Sequence, residues 1–148
     1  MEELMKTKIF KVTVERLLLN GGQTLYMVGW SLLVGTIIGM ILALILVLYR
    51  KGGLAENRPL YWIVSAYINV VRSIPFVILL VTIMPITRAI VGTTIGSTAA
   101  LVPLVVYISP YLARLMENSL LEINPGILEA AEAMGATTWQ VIRYFLVP

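Results

Sequence analysis

The chain contains no cysteine and no histidine, and all eight of its acidic residues are glutamates. Without cysteine there is neither a disulfide framework nor a thiolate metal site. Without histidine and aspartate, histidine-based triads, histidine metal sites and aspartyl dyads are excluded. Charge is scarce too: 13% of residues are charged, against about 25% in an ordinary soluble domain. The few Lys and Arg stand beside apolar segments and form no run, so they read as membrane-flanking anchors and not as a nucleic-acid surface. Apolar residues, by contrast, make up 59% of the chain. These deficits and this surplus describe an all-α integral membrane protein, with no cofactor or metal implied and no catalytic residue to assign.

Residues 1–23 are mixed in character and predict an interfacial lead-in helix, broken at Asn20-Gly21-Gly22. Residues 24–48 carry no charge and are long enough to cross about 30 Å of hydrocarbon, a first span. The run is too long and starts too late for a signal peptide. Ser31, Gly35, Gly39 and Ala43 recur at every fourth position and lay a small-residue seam along one face. That seam can receive a helix of the same chain or of a second copy. Arg50 and Lys51 close the span at a headgroup surface. Residues 58–71, with Tyr61, Trp62 and Tyr67, predict an interfacial helix.

The string Arg72-Ser73-Ile74-Pro75-Phe76 opens a second span, 72–90. Pro75 suits the first turn of a helix and Pro85 is a candidate kink. Arg72 reads either as a snorkelling anchor or as a pathway residue. Gly92, Gly96 and Ala100 form a second small-residue ladder with the same spacing. A third span, 95–116, is interrupted by Pro103 and Pro110, which mark either a pathway-lining broken helix or a plain kink. It ends at Arg114, with Glu117 and Glu122 leading onward, so the span cores hold no ionisable residue.

Residues 124–148 predict two short helices joined at a glycine. Asn124 is an N-cap and Pro125 suits the first helical position. Glu129, Ala130, Ala131 and Glu132 continue the helix. Ile127, Leu128, Ala131 and Met134 fall on one apolar face. Gly135 is the expected stop, and Thr137 with Gln140 has capping-box spacing. By periodicity alone this is an amphipathic hairpin at a membrane surface.

The residues say more. Glu129-Ala130-Ala131, Gly135 and Pro148 fall on the Glu-Ala-Ala, Gly and Pro positions of the EAA loop of ABC importer permeases, and Phe145 and Val147 keep the apolar character of its Ile and Leu. Arg72-Ser73-Ile74-Pro75, Met84-Pro85-Ile86-Thr87-Arg88 and Glu117-Asn118-Ser119-Leu120-Leu121 also resemble the methionine-import branch of that family. The resemblance implies a type I importer permease fold in the inner membrane of a bacterium, with a cytoplasmic EAA loop and, in consequence, an external N-terminus. Charge alone does not orient the first span, since Lys6, Lys8, Lys11 and Arg16 balance Arg50, Lys51, Arg58 and Arg72. It further implies a second permease copy, two ATP-binding subunits that carry out hydrolysis, an external methionine-binding lipoprotein and surrounding membrane lipid. The family's subunit has five spans, so a chain of three reads as C-terminally truncated.

Other readings remain at this point. One is a permease for another amino acid. A second is a small non-transporting assembly protein using its two small-residue ladders. A membrane enzyme would need facing ionisable residues within its spans.

Overall fold

The computed structural model describes residues 14–146, which form helices and turns and, among the described residues, no strand. The helices are α1 (Val14–Tyr49), α2 (Arg58–Ser73), α3 (Phe76–Val91), α4 (Ser97–Leu121), α5 (Pro125–Ala133) and the single turn α6 (Thr138–Val141), followed by a π-helical turn over Ile142–Leu146. Residues 1–13 of the expected lead-in, and Val147 and Pro148 of the expected loop, lie outside the described residues.

α1 runs straight through Asn20-Gly21-Gly22, so the break expected there does not occur. The Thr24 hydroxyl donates to the Asn20 carbonyl at 2.8 Å, across the expected break. Two interior glycines cost only about 1 kcal/mol each, which a helix of 36 residues outweighs. α1 and α4 are each long and apolar enough to cross a membrane. The chain bends by 116° between α2 and α3, which qualify as a third crossing only as a bent pair.

The bend is local chemistry. Ile74 precedes a proline and is therefore held extended, at φ −87° and ψ 126°. Pro75, which has no N–H to give, becomes the N-cap of α3, and its carbonyl accepts from the Ile78 amide at 2.9 Å. The corner thus falls at 74–75 rather than at 72, and Arg72 closes α2 instead of opening a span. Two contacts hold the corner against α4. Phe76 meets Tyr107 edge-on at 5.2 Å, and the Arg72 guanidinium lies 5.7 Å from the Tyr111 ring centroid.

The bundle is centred on α1 against α4. A Cβ on Gly39 would stand 3.0 Å from Leu112 Cβ, 3.1 Å from the Ser109 carbonyl and 3.3 Å from the Ala113 amide nitrogen. A Cβ on Gly35 would collide with the γ2 methyl of Ile108. The seam of Ser31, Gly35, Gly39 and Ala43 therefore receives α4 of the same chain, and Ser31 and Ala43 are buried along it. Leu46, Ile68 and Ala113, all fully buried, join α1, α2 and α4 in a second cluster.

The second ladder is not a helix face. Gly92 caps α3 at φ +81° and Gly96 precedes α4 at φ +109°, and a Cβ on either would touch nothing within 4 Å among the described residues. The expectation that Gly92 and Gly96 pack helices is corrected: they turn the chain between α3 and α4. Pro103 and Pro110 lie inside one continuous α4. Both are buried, Pro110 fully. Pro85 likewise lies inside α3 without ending it.

Candidate functional site

At the C-terminal end of α4 only Glu122, Ile123 and Asn124 separate that helix from α5. Asn124 Oδ1 accepts from the Gly126 amide at 2.9 Å, and Pro125 occupies the first turn. The helix closes as its glycine demands. The Ala136 amide donates to the Ala131 carbonyl at 3.0 Å and the Gly135 amide to that of Glu132 at 2.9 Å, with Gly135 at φ +77°. That bond pair is the Schellman arrangement. The capping box of α6 forms as well: Gln140 Oε1 accepts from the Thr137 amide at 2.8 Å, and Thr137 Oγ1 accepts from the Gln140 amide at 3.4 Å. The second helix is shorter than expected, one turn before the chain widens into the π-helical turn.

The helix pair sits on the ends of α1 and α4 through Ala131 and Val141, which are buried with Ala43, Val47 and Leu120. The apolar face expected of α5 is divided. Leu128 and Ala131 turn inward, while Ile127 is 47% exposed and Met134 76%. Met134, Trp139 and Tyr144 are exposed, as are Glu129, Ala130 and Glu132. Behind α5 is a cavity of about 290 Å³ lined by Arg50, Gly53, Leu120, Leu128, Glu129 and Glu132. The Arg50 Nε is buried there with no partner among the described residues.

The turn that leads from α1 to α2 is itself fixed by a carboxylate. Glu56 accepts from the Arg58 Nε at 2.9 Å and from the Gly52 amide at 3.1 Å. The Arg58 hydrogen bond first, then the Gly52 amide, hold its carboxyl below the ordinary carboxylate value.

The candidate residues therefore fall in separate places. Glu129, Ala130 and Gly135 are exposed on the helix pair, and Ala131 is buried beneath it. Arg72 and Pro75 form the α2–α3 corner. Pro103 lines a second cavity, of about 260 Å³, with Leu80, Met84 and Thr87 of α3. Pro110 is packed inside the bundle. The sequence places Arg114 and Glu117 at the end of the third span without showing that they pair. α4 runs to Leu121, past the expected end of the span, and places them in a part-buried ion pair of 2.7 Å. Their spacing of three along a helix was the one available signal.

Residues 35–148 match the family described as binding-protein-dependent transport system inner membrane component. The chain belongs to that family. Within the family it is 48% identical over 139 residues to the probable D-methionine transport system permease protein MetI of Vibrio cholerae, covering 94% of this chain and 62% of the relative. It is 49% identical over 126 residues to the D-methionine transport system permease protein MetI of Escherichia coli K12, covering 85% and 58%. A structure of the MetNI methionine ABC transporter in an inward-facing conformation superposes with a TM-score of 0.82 at 49% identity, over 85% of this chain and 58% of that one. An amino acid ABC transporter solved with histidines gives a TM-score of 0.63 at 26% identity, over 84% and 55%. The chain thus spans about three-fifths of the length of the relatives it matches. The helical architecture is that of a type I importer permease, and the family is an inner-membrane one.

Proposed function

We propose that the chain is the permease part of an ATP-driven importer that carries methionine across the cytoplasmic membrane. α1, the bent pair α2–α3 and α4 are its first three crossings, the first and third close to residues 24–48 and 95–116 and the second beginning at Arg58 rather than at 72, and residues 124–148 are its cytoplasmic coupling loop. Hydrolysis of ATP belongs to two partner subunits. A second permease copy and an external methionine-binding lipoprotein complete the assembly.

One observation carries this reading. α5 is seated on the bundle through Leu128 and Ala131 and leaves Ile127 and Ala130 exposed, with Met134 exposed at its cap, while the exposed Glu129 and Glu132 line the cavity behind it. Exposed apolar side chains ringed by charge are the usual make-up of a docking surface. The identity to the methionine permeases supports the choice of substrate.

In this mechanism the ATP-binding subunit grips α5, a rod about 14 Å long. Closure of that subunit on ATP displaces the rod. Because Ala131 and Val141 are locked against Val47 and Leu120, the displacement passes to the ends of α1 and α4. The crossings then rock between outward and inward access around Arg72, Pro75, Pro103 and Pro110. Gly135 fixes the aim of α6, so a side chain there misdirects half of the docking surface.

The test is to express the complete gene product with its ATP-binding subunit and to purify the two in detergent. A stoichiometric complex that takes up methionine in proteoliposomes is expected. Gly135→Val should lower methionine-stimulated ATP hydrolysis. If that variant retains full assembly and stimulation, the coupling role of the loop is wrong.

A further inference from the structure

Arg114 and Glu117 have no part in the coupling path described so far. Arg114 Nη1 donates to Glu117 Oε2 at 2.7 Å, and Nη2 donates to Ser65 Oγ at 2.6 Å and to Asn69 Oδ1 at 3.1 Å. The side chains of Arg114 and Glu117 are only 19% and 7% exposed. Ser65 and Asn69 lie one turn apart on α2. Between them Ile68 is fully buried against Leu46 and Ala113. One guanidinium thus ties α4 to α2 beside a fully apolar contact.

Cohesion does not call for a charge here. Apolar residues of similar volume hold a buried site as well as an ion pair does, or better. Ionisable groups retained within a membrane protein's bundle usually serve function. What the guanidinium adds is direction. Its planar fork fixes the angle and register of both partners, whereas apolar contacts allow sliding. The position suits that property. Tyr107 and Tyr111 hold the α2–α3 corner further up α4, and Arg114 holds α2 at the end that continues into α5. Pulling α2 away would strand the buried Glu117–Arg114 pair without its amide and hydroxyl acceptors, so the tie is kept or lost as a unit.

We propose that Arg114 is a positioning residue of the transport cycle, locking α2 to the coupling end of α4 so that α2, α4 and α5 move as one body. The proposal rests on the importer reading above. It extends the moving unit from the helices that α5 touches to the one that turns the corner into α3.

The complete complex tests it. The chain has no cysteine, so cysteine replacements at Ile63 on α2 and Leu115 on α4, 68% and 49% exposed, can carry spin labels once any cysteine elsewhere in the complex is removed. The distance between the labels should stay constant between nucleotide-free and ATP-bound states. The double variant Arg114→Met with Glu117→Leu removes both charges together, so neither is left unpaired, although Ser65 and Asn69 lose their donor. It should assemble and hydrolyse ATP, yet take up about tenfold less methionine per ATP, within the range that coupling residues command. The label distance should then vary with nucleotide. Arg114→Lys keeps the charge without the fork and should fall between the two. Two results overturn the proposal: uptake per ATP unchanged in the double variant, or a wild-type label distance that shifts with nucleotide. If the double variant fails to assemble, the wild-type distance decides alone. A wild-type chain that binds no ATP-hydrolysing subunit refutes the importer reading itself, while a working importer with either overturning result refutes only the role of Arg114.

Discussion

Gly35 and Gly39 stand four residues apart, and so do Gly92 and Gly96, but the two pairs do opposite things. The first pair lies inside α1 and is empty of side chain because α4 fills the space. The second pair lies between α3 and α4, in open space, and is empty of side chain because of its backbone angles. The lesson is that spacing reports where small residues are, while the reason for smallness is either a neighbour or a φ angle. Each reason has its own mutational signature.

The largest effect should come from Gly39. Its neighbours include the Ser109 carbonyl and the Ala113 nitrogen, backbone atoms that move only if α1 and α4 part. Destabilisation should climb with side-chain size, from about 1 kcal/mol for Gly39→Ala to about 3 kcal/mol or more for Gly39→Leu. Thermal unfolding of the detergent-solubilised complex reads this series, and equal losses for Ala and Leu would contradict the packing account. The Gly96 series should be flat instead. At φ +109° and ψ 170° any Cβ costs about 1–3 kcal/mol, so Gly96→Ala and Gly96→Leu should lose the same amount. Gly92, in the left-handed region, should cost less, about 1–2 kcal/mol for Ala, with Gly92→Asn milder still.

Gly35 sharpens the comparison because its obstacle is a side chain. Gly35→Ala should be relieved by Ile108→Ala in a double-mutant cycle, with a coupling of about 1 kcal/mol. No second-site change should relieve Gly96→Ala in this way. The smallest effect concerns the α1–α2 turn. Glu56 is held below its ordinary value of 4.5, so it adds stability at neutral pH that is lost as pH falls through its lowered value. The melting temperature of Glu56→Gln should accordingly lie slightly below wild type at pH 7 and converge with it in acid. A gap that persists below the lowered value would remove the carboxylate from the account.

What could be read from the sequence follows the same division. The caps of α5 and α6 were legible because each is closed by residues within a few positions: Asn124 with Gly126, Gly135 with Glu132, Thr137 with Gln140. The corner at Pro75 was nearly legible, displaced by three residues, since the extended Ile74 follows from the proline after it. The break expected at Asn20-Gly21-Gly22 was an over-reading of breaker residues in a helix long enough to absorb them. The Gly92–Gly96 ladder misled because a period of four fits a helix face and a turn alike. Arg114 could not have been placed. Its acceptors Ser65 and Asn69 lie 49 and 45 positions away, and only the packing of α2 on α4 brings them together. The candidate site was therefore legible where it is local, in the surface helix pair, and hidden where it is tertiary.

The most direct measurement is a cross-linking comparison between the two ends of α4. In the complete complex, a cysteine replacing Met134 lies on the proposed docking surface. One replacing Ile95, which is 84% exposed, lies in the turn at the far end. A short bifunctional thiol reagent should join the Met134 position, and not the Ile95 position, to a cysteine on the ATP-binding subunit, with a yield that changes when ATP is added. An intact complex in which Met134 fails to cross-link, or in which Ile95 cross-links as well as Met134, would contradict a docking role for the helix pair.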